Sequence, residues 1–188
     1  MPTGAWRLAD PAPLPSVLVD FLARGDAPVY FGFGSMRGAP QTGALLLEAA
    51  RSLGVRAIIS QGWGGLAPVE AGDDVLSIGD VAHAALFPRV AAVVHHGGAG
   101  TTTTAAIAGR AQFIVPHNYD QDYWAHRVQT LGIGVAGPPR EALTLDAVRA
   151  GLLACLRPEV IARARESAQK VEPSGARIAA ERLVREFG

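Results

Sequence analysis

From Val29 onward, short apolar runs alternate with helix-patterned stretches, and no other feature of the sequence restricts the fold as much. Val29–Phe33, Ala57–Ser60, Val75–Ile78, Ala91–Val94, Phe113–Val115 and Ile133–Val135 read as strands, each short and apolar on both alternating faces. Helical patterns fall between them at Gln41–Leu53, His83–Phe87, Thr101–Ala108 and Gln121–Leu131. Strands that are apolar on both faces and separated by helices predict a parallel sheet covered by helices on each side. The expected fold class is therefore α/β: a Rossmann-like three-layer domain with a six-stranded parallel sheet.

Flanking segments complete the plan. Pro2, Pro11, Pro13 and Pro15 stand among small and polar residues, so residues 1–15 read as an extended strap or interdomain linker. Residues 16–188 form the expected domain, opening on a helix whose Val17, Leu18, Phe21 and Leu22 have helical spacing and which stops at Gly25. From Thr144 the chain reads as a helical tail, broken near Pro158 and Pro173, with Ser174 and Gly175 at the entrance to the last helix. A chain of 188 residues that is 49% apolar and 18% charged is long enough to bury one sizeable core. Basic and acidic residues balance at 17 each, so the broad positive field that steers a protein to nucleic acid is absent, and no nucleic-acid partner is expected. The lone Cys155 has no internal disulfide partner, Met1 to Asp20 show no secretory pattern, and no apolar stretch approaches the roughly 20 residues of a membrane-spanning helix. Cytoplasmic residence is the expectation, with peripheral membrane contact left open.

In open parallel sheets ligands bind beyond the carboxyl ends of the strands, so the residues after each strand are where chemistry is sought. Val94-His95-His96-Gly97-Gly98-Ala99-Gly100-Thr101-Thr102 joins a buried strand to a helix through paired histidines and glycines. A helix start offers N–H groups without intrahelical partners and the positive end of a dipole, and glycines let a phosphate approach the backbone. Thr101 and Thr102 add hydroxyls, and an imidazole N–H from His96 completes a cradle for a diphosphate. The plainer alternative is a tight strand-to-helix turn with one core histidine. Asp120 and Gln121 follow the next strand at a helix start, where a carboxylate and an amide suit the hydroxyls of a sugar; Asp120 as a simple N-cap is the competing reading. Ser60, Trp63, Val81 and His83 follow the second and third strands and suit a nucleoside slot, with Trp63 equally readable as a packing residue. His117 and His126 carry less weight, and the histidines lack a carboxylate or thiolate at ligand spacing, so no metal site is expected. The first glycine turn, Gly32-Phe33-Gly34-Ser35-Met36-Arg37-Gly38, also invites an NAD(P)-binding oxidoreductase reading, but the second strand ends in Ser60-Gln61-Gly62 without the acid that holds a dinucleotide ribose.

Phe31-Gly32-Phe33-Gly34-Ser35-Met36, Ser60-Gln61-Gly62-Trp63, the run from Leu86 to Thr102, and Asp120-Gln121 resemble, in order and spacing, the C-terminal domain of family 1 GT-B glycosyltransferases, especially bacterial natural-product and sterol glycosyltransferases. Gly4-Ala5-Trp6 with the proline-rich strap resembles that family's interdomain linker. The resemblance implies one half of a GT-B fold that binds a UDP- or dTDP-hexose, with His96, Gly98, Gly100, Thr101 and Ser35 on the diphosphate, Asp120 and Gln121 on the hexose, and Val81 and His83 beside the base. It implies a metal-independent inverting hexosyltransferase that needs no cofactor beyond the nucleotide-sugar co-substrate and acts on a hydroxyl of a small or lipophilic acceptor. Its general base is expected on an N-terminal acceptor domain, without which this half is expected to be inactive; a donor-binding subunit completed by a separate acceptor chain is the alternative. Thr104 stands where plant members carry a ribose-binding glutamate, and Asp80 or Val81 where they stack a tryptophan, so a bacterial-type pocket is expected.

Overall fold

The computed structural model describes residues 3–6, 12–36, 42–62 and 72–188. Six parallel strands, β1 (Val29–Gly32), β2 (Ala57–Ser60), β3 (Val75–Ile78), β4 (Ala92–His95), β5 (Ala111–Ile114) and β6 (Gly134–Ala136), form one sheet in the order β3-β2-β1-β4-β5-β6. This is the doubly wound order, and its connections diverge between β1 and β4, where Gly32 pairs with His95 at the carboxyl ends. The two glycine turns noted in the sequence thus open side by side.

Helices α1 (Ser16–Ala23), α2 (Thr42–Ser52), α3 (His83–Leu86), α4 (Ala99–Ile107), α5 (Gln121–Thr130), α6 (Leu145–Cys155) and α7 (Pro158–Ala168) cover the two faces, and α8 (Gly175–Phe187) follows with only Gly175 buried. The period of two along each strand sorts the core. Val29, Phe31, Ile59, Val94 and Phe113 pack against Leu46 and Leu47 of α2 and against Val148 and Leu152 of α6. Tyr30, Ile58, Leu76 and Val93 face the opposite way, onto Leu18 and Phe21 of α1 and Leu86 of α3. Ile114 joins Ala125 and Val128 of α5 and Ala164 of α7 on that second side. With each fully buried aliphatic or aromatic side chain contributing roughly 1.5–3 kcal/mol, these two layers hold the strand ends that carry the site.

The architecture matches the expected three-layer domain, and the differences are local. α4 begins at Ala99 instead of Thr101, because Gly98, at φ −61° and ψ 137°, takes the extended N-cap conformation and the glycines enter the first turn. β5 and β6 are shifted by one or two residues from the expected runs. Residues 3–6 lie against the turn before α8: Ala5 donates its N–H to the carbonyl of Glu172 at 2.7 Å, and Gly175 donates to the carbonyl of Ala5 at 3.0 Å. Cys155 is buried, and burial pushes its thiol up to about 12, which makes it a core residue. No helix among the described residues is long and apolar enough to cross a membrane.

Candidate nucleotide-sugar site

The paired histidines after β4 have separate roles. His95 is fully buried, its Nδ1 accepts the N–H of Gly97 at 3.1 Å, and its Nε2 lies 2.9 Å from Oε1 of Gln112. Accepting at Nδ1 requires the proton on Nε2, which donates to Gln112. Burial pushes its pKa down to about 3, so the ring stays neutral and fastens the start of the turn to β5. Gly97 follows at φ +94°. A Cβ there would come within 2.8 Å of Cγ2 of Ile114, so both the conformation and the space require glycine.

His96 turns to the other side. A Cβ on Gly98 would lie 2.5 Å from its Nε2, and one on Gly34 would lie 3.4 Å from its Cε1, so the ring spans the two glycine turns. Its Nδ1 is buried without a partner among the described residues. Burial lowers its pKa while Asp120 opposes that shift, so at neutral pH it is an uncharged ring with one N–H to give. The turn after β2 joins the group: a Cβ on Gly62 would meet the carbonyl oxygen of Gly34 at 2.5 Å. The turns after β2, β1 and β4 therefore form one continuous rim.

At the mouth of α4 the backbone N–H groups of Gly98, Ala99, Gly100 and Thr101 have no partner among the described residues; the first helical bond to Gly98 comes from Thr102. The hydroxyl of Thr102 also donates to the carbonyl of Gly98, at 2.9 Å, and that of Thr104 to Gly100 at 2.8 Å. This corrects the expectation that Thr102 offers a free hydroxyl, because it is turned back onto its own helix. Thr101 keeps its hydroxyl unbonded among the described residues, and Ser35 lies exposed in the turn after β1. Four orphan N–H groups, a helix dipole and an imidazole N–H are the chemistry of an anion site.

The turn after β5 supplies the next wall. Gln121 is buried, and its Oε1 accepts from the N–H of His117 at 2.6 Å and of Asn118 at 3.0 Å. Its amide oxygen is thereby committed to shaping the loop, which leaves Nε2 as the group without a partner among the described residues. Asp120 occupies the N-cap position of α5 but makes no capping bond, and its Oδ2 instead accepts from Nε1 of Trp124 at 2.8 Å. The simple N-cap role is therefore not the one it plays. Tyr119 just before it has φ +63° and is 87% exposed, an uncommon conformation for a bulky side chain and the kind of local strain that clusters at functional loops. His117, given little weight from the sequence, sits in the middle of the group: its ring centroid is 5.0 Å from Phe33 and 6.2 Å from His96. Burial, with Arg140 and His96 nearby, pushes its pKa down to about 4. Its place directly before Asn118-Tyr119-Asp120 was the available signal. His126 lies on the exposed side of α5 beside Thr130.

Ser60 ends β2 and His83 lies beyond β3, and the two are linked through Tyr30, whose Oη is 2.9 Å from Nε2 of His83 and hydrogen-bonded to Ser60. Val81 borders a cavity of about 200 Å³ that is also lined by Ala12, Pro13 and Pro15. Trp63 lies outside the described residues, as do Arg37 and Gly38 at the end of the first glycine turn. No group of three potential metal ligands occurs among the described residues.

Comparison with known proteins fixes the family. The EryCIII-like family, described as the C-terminal domain of erythromycin biosynthesis protein CIII-like proteins, matches residues 44–181. The chain belongs to this family of glycosyltransferase C-terminal domains. A vancomycin aglycone glucosyltransferase of Amycolatopsis orientalis is 46% identical over 184 residues, covering 97% of this chain and 44% of that protein. The sterol 3-beta-glucosyltransferase UGT80B1 of Arabidopsis thaliana is 38% identical over 156 residues, 81% of this chain and 25% of that protein. Among solved structures, the glycosyltransferase VinC in complex with dTDP is 26% identical at a TM-score of 0.67, over 91% of this chain and 45% of that one. The chain thus spans less than half the length of these relatives. Family and fold agree with the resemblance read from the motifs.

Proposed function

We propose that this glycosyltransferase domain, formed by residues 16–188 with residues 1–15 as an interdomain strap, binds a UDP- or dTDP-activated hexose and serves as the donor half of a metal-independent inverting enzyme. The observation that carries the reading is the set of unpaired N–H groups at the mouth of α4, closed on one side by His96. Two linked phosphoryl groups fit this mouth through Gly98, Gly100, Thr101, Ser35 and His96. Asp120 and Nε2 of Gln121 take the hexose, and Ser60, Val81 and His83 take the nucleoside, with Trp63 assigned there from the sequence. The name of the vancomycin relative supports glucosyl transfer, and the dTDP bound to VinC supports a nucleoside diphosphate in this fold.

In the reaction an acceptor hydroxyl, deprotonated by a base on an N-terminal domain, attacks the anomeric carbon as the bond to the diphosphate oxygen breaks. Charge develops on that leaving oxygen, and fixed N–H groups with the His96 imidazole stabilise it without reorganising at the moment of reaction. This half alone binds donor and does not transfer it.

Calorimetry with UDP, dTDP, UDP-glucose, NADH and NADPH tests the assignment. The nucleoside diphosphates bind, and His96→Ala weakens them by about 1.5–3 kcal/mol, the range for a hydrogen bond to a charged group. Tight NADH binding with none for either diphosphate overturns the reading, and an unchanged affinity in folded His96→Ala removes that ring from the site.

A further inference from the structure

A phenol hydroxyl lies beneath the proposed nucleoside slot, in a layer that is otherwise apolar. Tyr30 is the second residue of β1, 2% exposed, and packs among Ile58, Leu76, Leu86, Phe87 and Val93. A phenylalanine would satisfy that packing equally well, and burying a hydroxyl costs free energy unless it is bonded. The fold nevertheless makes space for the hydroxyl. A Cβ on Gly32, two residues along the same strand, would lie 2.3 Å from Oη of Tyr30. This glycine is thus explained by the tyrosine beside it, without appeal to a ligand.

The hydroxyl joins two elements that sequence alone places far apart. Its Oη is 2.9 Å from Nε2 of His83, at the start of α3, and hydrogen-bonds Ser60, the last residue of β2. A phenol has one proton to donate and lone pairs to accept with. Burial raises the Tyr30 pKa to about 12, so the phenol keeps its proton to donate at neutral pH. A phenol O–H is a stronger donor than a neutral imidazole N–H, and an imidazole nitrogen a stronger acceptor than a phenol oxygen. Across this 2.9 Å contact the Tyr30 proton therefore goes to Nε2 of His83, and Oη is left to accept from Ser60. The neutral imidazole then carries its proton on Nδ1. Phe87 stacks on the same ring, centroids 4.6 Å apart and planes 14° from parallel, and fixes its orientation.

We propose that Tyr30 is a positioning residue for nucleoside recognition: its hydroxyl, bonded between Ser60 and His83, holds the His83 imidazole in the Nδ1–H tautomer. His83 thereby presents a neutral donor, and the group it reads on the nucleotide is an acceptor oxygen of the pyrimidine or ribose. The inference rests on the nucleotide-sugar reading and deepens it by fixing which atom of His83 donates.

The test compares wild type with Tyr30→Phe, which keeps the ring and leaves the space above Gly32 intact. Affinity for UDP and dTDP falls about tenfold, the loss of one oriented hydrogen bond, while affinity for inorganic pyrophosphate is unchanged. Nitrogen-15 NMR finds His83 as the Nδ1–H tautomer in wild type and as a mixture in Tyr30→Phe. The wild-type tautomer decides the matter even if the variant fails to fold. An Nε2–H tautomer in wild type, or equal losses for pyrophosphate and nucleotide, overturns the assignment to Tyr30. A wild-type chain that binds pyrophosphate but neither nucleotide instead overturns the nucleotide-sugar reading, so the two failures are told apart.

Discussion

The turns after β1 and β4 lie side by side and are both rich in glycine, yet their glycines answer to different neighbours. Gly32 gives way to the tyrosine two residues before it, and Gly97 gives way to Ile114 and the backbone of Gln121 on the next element. Gly100 gives way to nothing among the described residues: a Cβ there would meet none of their atoms within 4 Å. One letter therefore records three constraints, namely space for the chain's own side chain, a left-handed turn tied to a neighbouring strand, and bare backbone facing outward. Only the third has no explanation inside the protein, and it falls in the first turn of α4, where the orphan N–H groups are.

The sharpest way to break this comparison is to add the same methyl group to two of these turns. Gly97→Ala combines left-handed strain with a 2.8 Å clash on Ile114, so it is expected to cost about 3 kcal/mol or more in urea denaturation. Gly34 is also left-handed, at φ +57°, but its nearest neighbour is the His96 ring at 3.4 Å. Gly34→Ala should cost about 1 kcal/mol. Equal costs at the two positions would mean that the β4 turn is no more tightly held than the β1 turn.

A second difference between the turns is ionisation. His95 fastens the β4 turn with a folded-state pKa of about 3, against roughly 6.5 in an unfolded chain. Below pH 6.5 the unfolded chain takes up a proton that the folded ring refuses, so this stability is complete above that pH and is lost as pH falls toward 3. At pH 5 the loss is about 2 kcal/mol from His95 alone. His83, His96 and His117 are shifted the same way by burial. Urea denaturation at pH 7 and pH 5 measures the slope, and His95→Asn should flatten it; an unchanged slope would place the acid sensitivity elsewhere.

Much of the fold was legible because parallel strands buried on both faces leave unbroken apolar runs, and six such runs became six strands. That same double burial hid which histidine faces inward. Where both faces of a strand are covered, alternation carries no in-or-out signal, and His95 and His96 look alike until Gln112 of the neighbouring strand claims one of them. The start of α4 was read two residues late because glycine is a poor helix former, and only tertiary context shows that Gly98 caps the helix. Asp120 and Gln121 were visible as a pair, but not that Gln121 spends its oxygen on the backbone of His117 and Asn118. Tyr30 was invisible as a site residue. Its partners, Ser60 and His83, stand 30 and 53 positions away, and nothing local marks a strand tyrosine as bonded.

Gly100 gives the smallest effect on stability and the clearest separation of packing from function. It is an exposed residue of α4, where glycine is less favourable than alanine by up to about 1 kcal/mol, the lower part of that range applying in the first turn. With no neighbour within 4 Å of an added Cβ, Gly100→Ala should raise stability slightly, by about 0.5 kcal/mol. The same methyl group would stand beside the N–H groups proposed to hold the diphosphate, so affinity for UDP or dTDP should fall while the melting temperature rises. A variant both more stable and equally able to bind would show that the diphosphate does not approach this turn, and the glycine would then have neither a packing nor a ligand reason to be there. Opposite movements of stability and affinity are what a position reserved for a ligand requires, since a purely structural glycine cannot improve the fold and impair binding through one methyl group that touches nothing in the free protein.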